Sequence, residues 1–248
     1  MQSLFPAEPS ELSAEDLAEL YAYPSETTWV RANFVASVDG AAQGAEGRSG
    51  GLSSEADQRL FALLRSLADV ILVGGQTARA EAYQPVLPSE VDTDLRAQLG
   101  LTPTPAIAVV SRAMDFDPTL LAGGEAPTLV LTTPDAAEEH ADLLSVATVI
   151  DASRPGDPVH VDAGRIVDQL AAQGFQRILC EGGPSIHYGL VVTGRLDELC
   201  LTISPQLAGG DPLRILTAGP GFTPPVPLEL RHLLTDGGDL FARYTVAR

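Results

Sequence analysis

Residues 69–75 read DVILVGG and residues 177–183 read RILCEGG. Each is a short, unbroken apolar run that stops on paired glycines. A run of that length and character is the mark of a strand buried on both faces of a parallel sheet. AIAVVS at 106–111, TLVLTT at 128–133 and ATVID at 147–151 share it. Between them lie helical patterns: SEVDTDLRAQLG at 89–100, PDAAEEHADLLS at 134–145 and DAGRIVDQLAAQG at 162–174. Strands alternating with helices imply βαβ units and right-handed crossovers in one sheet.

Working outward, TWVRANFVAS at 28–37 is a strand rich in β-branched and aromatic residues, closed by the turn signal VDG. The Gly-rich loop AAQGAEGRSGG follows. SSEADQRLFALLRSLA at 53–68 is then a helix, with Ser53 or Ser54 as its cap and Leu60, Leu63, Leu64 and Leu67 on one face. ELSAEDLAELYAY at 11–23 predicts an N-terminal helix capped by Ser10 or Ser13. Near the other end, LDELCLTISPQLAGG holds a longer strand and DLFARYTVAR a terminal one. The expected architecture is α/β, in three layers. Its mixed sheet is mostly parallel, with an antiparallel C-terminal end. It forms one domain over 1–248 with a helical extension at about 10–22.

The composition excludes several functions. Of 248 residues, 45% are apolar and 19% charged, ordinary for a globular chain. Fifteen Lys+Arg against 33 Asp+Glu leave a net charge of −18, the wrong sign for nucleic-acid binding. Cys180 and Cys200 sit in apolar runs and read as buried thiols. With four scattered histidines and no CxxC, no metal site is expected. The start shows no signal peptide, and no apolar run approaches the ~20 residues of a membrane helix. The expectation is a soluble cytoplasmic protein without membrane or nucleic-acid partners.

Ligands of parallel α/β sheets bind where strands end. Those ends carry Ser37-Val38-Asp39-Gly40, Gly74-Gly75-Gln76-Thr77, Arg112, Glu181-Gly182-Gly183-Pro184-Ser185 and Ala208-Gly209-Gly210-Asp211. Glycines admit a ligand close to the backbone, and the first N–H groups of a helix attract anions. Two such loops suit a dinucleotide, although neither matches G-x-G-x-x-G or a P-loop. Asp39 and Glu181 are carboxylates placed to accept from a heterocycle's N–H groups. Asp39 is the first candidate for a proton donor, and a turn role for it is an alternative. His187 reads as structural, and no nucleophile motif is present.

In order, the chain shows FVASVDGAAQGAEGRSGG, LLRSLADVILVGGQTARAE, AVVSR, and LCEGGPSIHYGLVVTGRLDELCLTISPQLAGG. This combination resembles the riboflavin-biosynthesis pyrimidine reductases, the reductase domain of the bacterial bifunctional deaminase–reductase. That family shares the dihydrofolate reductase fold. The resemblance covers most of residues 30–215. It implies NADPH-dependent reduction of 5-amino-6-(5-phosphoribosylamino)uracil, opening the ribose to a ribityl chain, in a homodimer. It places Gly74, Gly75, Thr77, Glu81, Gly182, Gly183, Pro184 and Ser185 on the cofactor. Ser111 and Arg112 fall at its 2′-phosphate, and Ala36 near the nicotinamide. Asp39, Ser49, Arg65 and Glu181 fall on the substrate, with Asp39 and Glu181 as the catalytic candidates.

The chain also departs from that family. The deaminase motifs H-x-E and P-C-x-x-C are absent. After Thr77 the family reads A-D-D-P-x-L-x-x-R, whose Arg helps bind the ribose phosphate. Here the stretch is ARAEAYQPVLP, with Glu81 for the first acid and no Arg in that place. Arg48, Arg65 and Arg79 are the alternative phosphate cations. The competing expectations are a reductase of another pyrimidine or a dihydrofolate-like pterin, and a non-catalytic protein that keeps the cofactor pocket.

Overall fold

The computed structural model describes residues 1–6, 10–122, 124–217 and 219–247. The strands are β1 (Gln2–Phe5), β2 (Ser10–Glu11), β3 (Trp29–Ser37), β4 (Val70–Gly74), β5 (Ala106–Val110), β6 (Thr128–Thr132) and β7 (Thr148–Asp151). They continue with β8 (Ser153–Arg154), β9 (Asp157–Val161), β10 (Arg177–Cys180), β11 (Glu198–Ser204), β12 (Leu228–Asp236) and β13 (Asp239–Val246). Eleven of them form one sheet in the order β2-β1-β12-β13-β11-β3-β10-β4-β5-β6-β7, while β8 and β9 make a separate hairpin. From β11 to β7 every neighbouring pair is parallel, and from β2 to β11 every pair is antiparallel.

The mixed, mostly parallel α/β sheet thus agrees with the sequence, and all six apolar or β-branched runs expected at its centre lie in it. Arg248, the end of the expected terminal strand, lies outside the described residues. The antiparallel end is larger than expected. LELRHLLTD becomes β12, and the N-terminal extension contributes β1 and β2 before its helix. Those strands are four and two residues long, too short to show a period.

The helices are α1 (Ala14–Leu20), α2 (Glu55–Leu67), α3 (Gly75–Ala80), α4 (Thr93–Gln98), α5 (Pro134–Glu139), α6 (Ala141–Leu144), α7 (Ala163–Ala172) and α8 (Pro184–Val192). Ser13 caps α1 in a reciprocal capping box with Asp16, and Ser54 caps α2 by accepting from the Asp57 N–H. Alternation along the strands sends side chains to both faces. Val70 and Leu72 pack with Ile166, Leu170 and Leu190 of α7 and α8. Ile71 and Val73 pack on the opposite face with Ala78, Leu120 and Leu144. Leu60, Leu64 and Leu67 of α2 cover Leu179 and Cys200 beneath Tyr21. Both cysteines are free and buried.

Candidate active site

β4 and β10 are parallel neighbours, so their glycine ends emerge on one sheet edge. There the Gly74 N–H donates to the Gly182 carbonyl at 2.9 Å. The loops beyond pack too closely for side chains. A Cβ on Gly183 would stand 2.5 Å from the Thr77 hydroxyl, and one on Gly75 would stand 2.7 Å from that of Ser111. At Gly75 the Ser111 Cβ would also stand 2.9 Å away, so contact requires glycine there, whereas at Gly183 a turn of the Thr77 hydroxyl would relieve the clash. Gly74 and Gly183 are the N-caps of α3 and α8, and neither helix has a side-chain cap. Their first-turn N–H groups are left to a ligand.

A cavity of about 1120 Å³ opens over these loops. Gly74, Gly75, Thr77, Glu81, Ser111 and Arg112 line one part of it, and Gly182, Gly183, Pro184 and Ser185 adjoin them. Ser49, Arg65 and Glu181 complete the expected set. Glu81 accepts from the Ser49 N–H at 2.8 Å, which ties the Gly-rich loop to the end of α3. Ser111 accepts from the Met114 N–H at 3.0 Å. The Arg112 guanidinium is half exposed, 3.9 Å from Asp135.

Arg65 and Glu181 meet in a bidentate pair. Nε donates to Oε1 and Nη2 to Oε2, both at 2.8 Å. The Tyr83 hydroxyl adds a third bond to Oε2 at 2.6 Å. Arg65 lies over the Phe61 ring at 4.3 Å, one helical turn away. Its side chain is 11% exposed and that of Glu181 is 2% exposed, so the pair forms the cavity wall. Burial, and then the Glu181 charge, push the Tyr83 hydroxyl well above its usual range, so it remains a neutral donor.

Two expected residues fall elsewhere. Asp39 does not line the cavity. Its carboxylate accepts from the Ser37 hydroxyl and from the N–H groups of Ala208 (3.1 Å) and Gly209 (2.8 Å). These bonds, Ser37 foremost, hold its pKa at about 2, so it is an anion at neutral pH and no proton donor. It anchors the loop after β11. Ala36 also misses the cavity, because β3 closes its own turn there with Ser37 N–H on Ala41 O and Gly40 N–H on Ser37 O. Asn33, Phe34 and Val35 line the cavity in its stead.

Arg65 is not a free phosphate cation, since Glu181 engages two of its donors. Arg79 does line the cavity, where it pairs with Asp115 at the exposed rim. Arg48 is not part of the lining. His187 is buried and stacked on Phe34 at 4.7 Å, with Nδ1 2.9 Å from the Ile215 carbonyl. Tyr83 escaped the sequence reading because it breaks the family pattern where that pattern has Pro. Among the described residues no cluster of potential metal ligands occurs. No described helix is long and apolar enough to cross a membrane.

The RibD C-terminal domain family matches residues 28–242. The 2,5-diamino-6-ribosylamino-4(3H)-pyrimidinone 5′-phosphate reductase of Methanothermobacter thermautotrophicus is 30% identical over 223 residues, covering 88% of this chain and 98% of that protein. The riboflavin biosynthesis protein RibD of Bacillus amyloliquefaciens is 26% identical over 211 residues, and the match spans 54% of it. Among solved structures, a pyrimidine reductase-like protein from Corynebacterium diphtheriae gives a TM-score of 0.79 at 28% identity, covering 94% of this chain and 99% of that one. RibD of Acinetobacter baumannii, at 19% identity and a TM-score of 0.69 over 90% of this chain and 59% of that one, shares the fold. With the family model spanning residues 28–242, the chain belongs to the RibD C-terminal domain family.

Proposed function

We propose that this chain is an NADPH-dependent reductase of 5-amino-6-(5-phosphoribosylamino)uracil in riboflavin biosynthesis. The observation that carries this reading is the convergence of two uncapped glycine loops on one cavity whose wall bears the Arg65–Glu181 pair. The loops fit a dinucleotide. Gly183 and Ser185 on one loop and Gly75–Thr77 on the other offer backbone donors to its diphosphate, while Ser111 and Arg112 line the cavity for a 2′-phosphate. When bound, NADPH supplies the hydride. Glu181, held by three donors, serves as an acceptor that orients the pyrimidine. With Asp39 outside the cavity, water supplies the proton that accompanies hydride arrival.

A second reading has a specific basis. The archaeal relative at 30% identity is named for the 2,5-diaminopyrimidinone, not the uracil. We further propose a homodimer, since Val38 and Leu207 are 62% and 81% exposed beside each other at the Val38 N–H to Gln206 O bond. Such a dimer buries more than ~1,000 Å² in total. The deciding experiment incubates purified protein with NADPH and each phosphoribosylaminopyrimidine, following loss of reduced cofactor and formation of the ribityl product. Ribityl product from the uracil compound supports the proposal. Reduction of the diaminopyrimidinone alone selects the second reading, and turnover of neither rejects both. Sedimentation at micromolar concentration tests the dimer.

A further inference from the structure

We propose that Asp57 is a substrate-binding residue, and that it gives the cavity a seat for a 2-amino-4-oxopyrimidine as well as for a uracil. This rests on reading the chain as a pyrimidine reductase and concerns which rings that site accepts.

Asp57, Phe61 and Arg65 are spaced by four on α2, and all three line the cavity. Arg65 holds Glu181 at one end of that face. Asp57 stands at the other end, two turns or about 12 Å along the helix axis. Asp57 is only 7% exposed. The Ser53 hydroxyl donates to its Oδ2 at 2.5 Å, and the Thr202 hydroxyl on β11 is a second hydrogen-bond partner. The charged group that acts on it, Asp239 on β13, has the same sign. Glu181 is thus engaged by a guanidinium, whereas the partners of Asp57 are hydroxyls. A carboxylate accepts at about four lone-pair sites, so two hydroxyls leave roughly half of its capacity to a ligand. A carboxylate so buried gains from N–H donors and is opposed by carbonyl oxygens.

Both candidate rings carry a 5-amino group and a 6-N–H on one edge, donors that match Glu181. The parallel edge across the ring is N3 with C2, and there the rings differ. In the 2-amino-4-oxopyrimidine, N3–H and the 2-amino group are adjacent parallel donors, and they meet a carboxylate as two N–H groups of a guanidinium do. In the uracil, N3–H donates but the C2 oxygen beside it faces the carboxylate. Asp57 therefore accepts both rings and holds the 2-amino ring more tightly. An asparagine inverts this pattern, because its amide carries one acceptor and one donor side. Those sides match N3–H and C2=O of the uracil and set one NH₂ against the other in the 2-amino ring.

The test measures binding of three rings to the full chain and to Asp57→Asn by calorimetry. They are 5,6-diaminouracil, 5,6-diaminopyrimidin-4(3H)-one and 2,5,6-triaminopyrimidin-4(3H)-one. Turnover of the phosphoribosyl compounds of the first and third is followed in parallel. In the unmodified protein the triamino ring should bind roughly tenfold tighter than the uracil, the worth of one hydrogen bond to a charged group, with the ring bearing hydrogen at C2 between them. Asp57→Asn should weaken the triamino ring about tenfold and leave the uracil equal or tighter, opposite directions that a general loss of packing does not produce. Should that variant fail to accumulate, the order of the three rings in the unmodified protein decides alone. Equal affinities or a uracil preference in the unmodified protein, an unchanged ratio in Asp57→Asn, or no binding of any ring overturns the proposal. The expected order without turnover leaves the inference standing while the reductase reading falls. Turnover without that order does the reverse.

Discussion

Two buried arginine–glutamate arrangements can be set side by side. Glu198 on β11 accepts from Arg31 Nε at 2.5 Å, Arg243 Nη2 at 2.8 Å and the Trp29 indole at 3.0 Å. Arg31 and Glu198 are wholly buried where β3, β11 and β13 lie side by side, and Arg31 also stacks on Tyr23 at 4.0 Å. Burial works to raise the Glu198 pKa, but Arg31 and Arg243 outweigh it and hold it at about 2. Glu181 carries a comparable set of donors but faces the cavity. Enclosed on all sides, the first arrangement ties three strands together at the junction of the parallel and antiparallel halves. At a cavity wall, the same chemistry leaves an acceptor open to a ligand.

The largest expected effect separates the two. Glu198→Gln leaves two guanidinium groups in the core without a countercharge, and breaking such a pair costs about 3–5 kcal/mol. Urea denaturation should show that loss, or the variant should fail to accumulate as soluble protein. Glu181→Gln should cost less stability, because water in the cavity can solvate Arg65. Its kcat/KM should fall about a hundredfold, the equivalent of ~3 kcal/mol of bonding to a charged group. If the two variants lose equal stability, the contrast between an enclosed pair and an open one is broken.

A smaller effect comes from two buried histidines, His187 on α8 against the parallel half and His232 on β12 in the antiparallel half. His187 lies behind Phe34 beside the cavity. His232 on β12 meets the Tyr21 ring edge-on at 4.6 Å. Burial lowers both pKa values from 6.5 to about 4, helped at His232 by Arg243. Above pH 6.5 both are neutral, folded or unfolded, and neither affects stability. As pH falls from 6.5 toward 4 the unfolded chain binds protons that the folded chain refuses, so stability declines, by on the order of 3 kcal/mol for His187. Unfolding free energies across that window should fall with acid, and His187→Gln should flatten the slope. A slope unchanged in that variant assigns the acid sensitivity to the antiparallel half.

The two halves also differed in how much of them the sequence displayed. In the parallel half β4, β5, β6 and β10 are short runs dominated by apolar residues, because both faces of the sheet there are covered. DVILVGG and RILCEGG therefore announced both the sheet and the site edge. The antiparallel half carries weaker signals. β12 is exposed over Leu228–Arg231 and reads LELR, while β1 gains its order from pairing with residues more than two hundred positions away and β2 only from pairing with β1. The glycine loops and the Arg65–Glu181 region were legible through their motif. The bidentate bond itself was not, since it joins residues 116 positions apart. Asp39 misled because an Asp before Gly fits a ligand-facing strand end and a loop anchor equally well. The N–H groups that decide between them, on Ala208 and Gly209, arrive from another strand.

The smallest effect tests the cavity's other charged feature. Unlike Arg65, Arg112 has no close partner. Its guanidinium is 46% exposed, and Asp135, itself 53% exposed, stands 3.9 Å away. A contact of that length between solvated groups contributes ~1 kcal/mol at most and is screened by salt, so it leaves Arg112 available. A 2′-phosphate brings two negative charges and planar oxygen edges to which a guanidinium can bind bidentately. Arg112→Ala should weaken NADPH binding about tenfold and leave NADH nearly unchanged, with thermal stability within ~0.5 kcal/mol as for an ordinary surface position. The NADPH deficit should shrink as salt rises, since screening already weakens the contact in the unmodified protein. Equal losses for both cofactors would show that Arg112 supports the β5 loop instead of reading the phosphate. The cavity rim would then lose its claim to cofactor discrimination, and the open cation would have to be sought at Arg79.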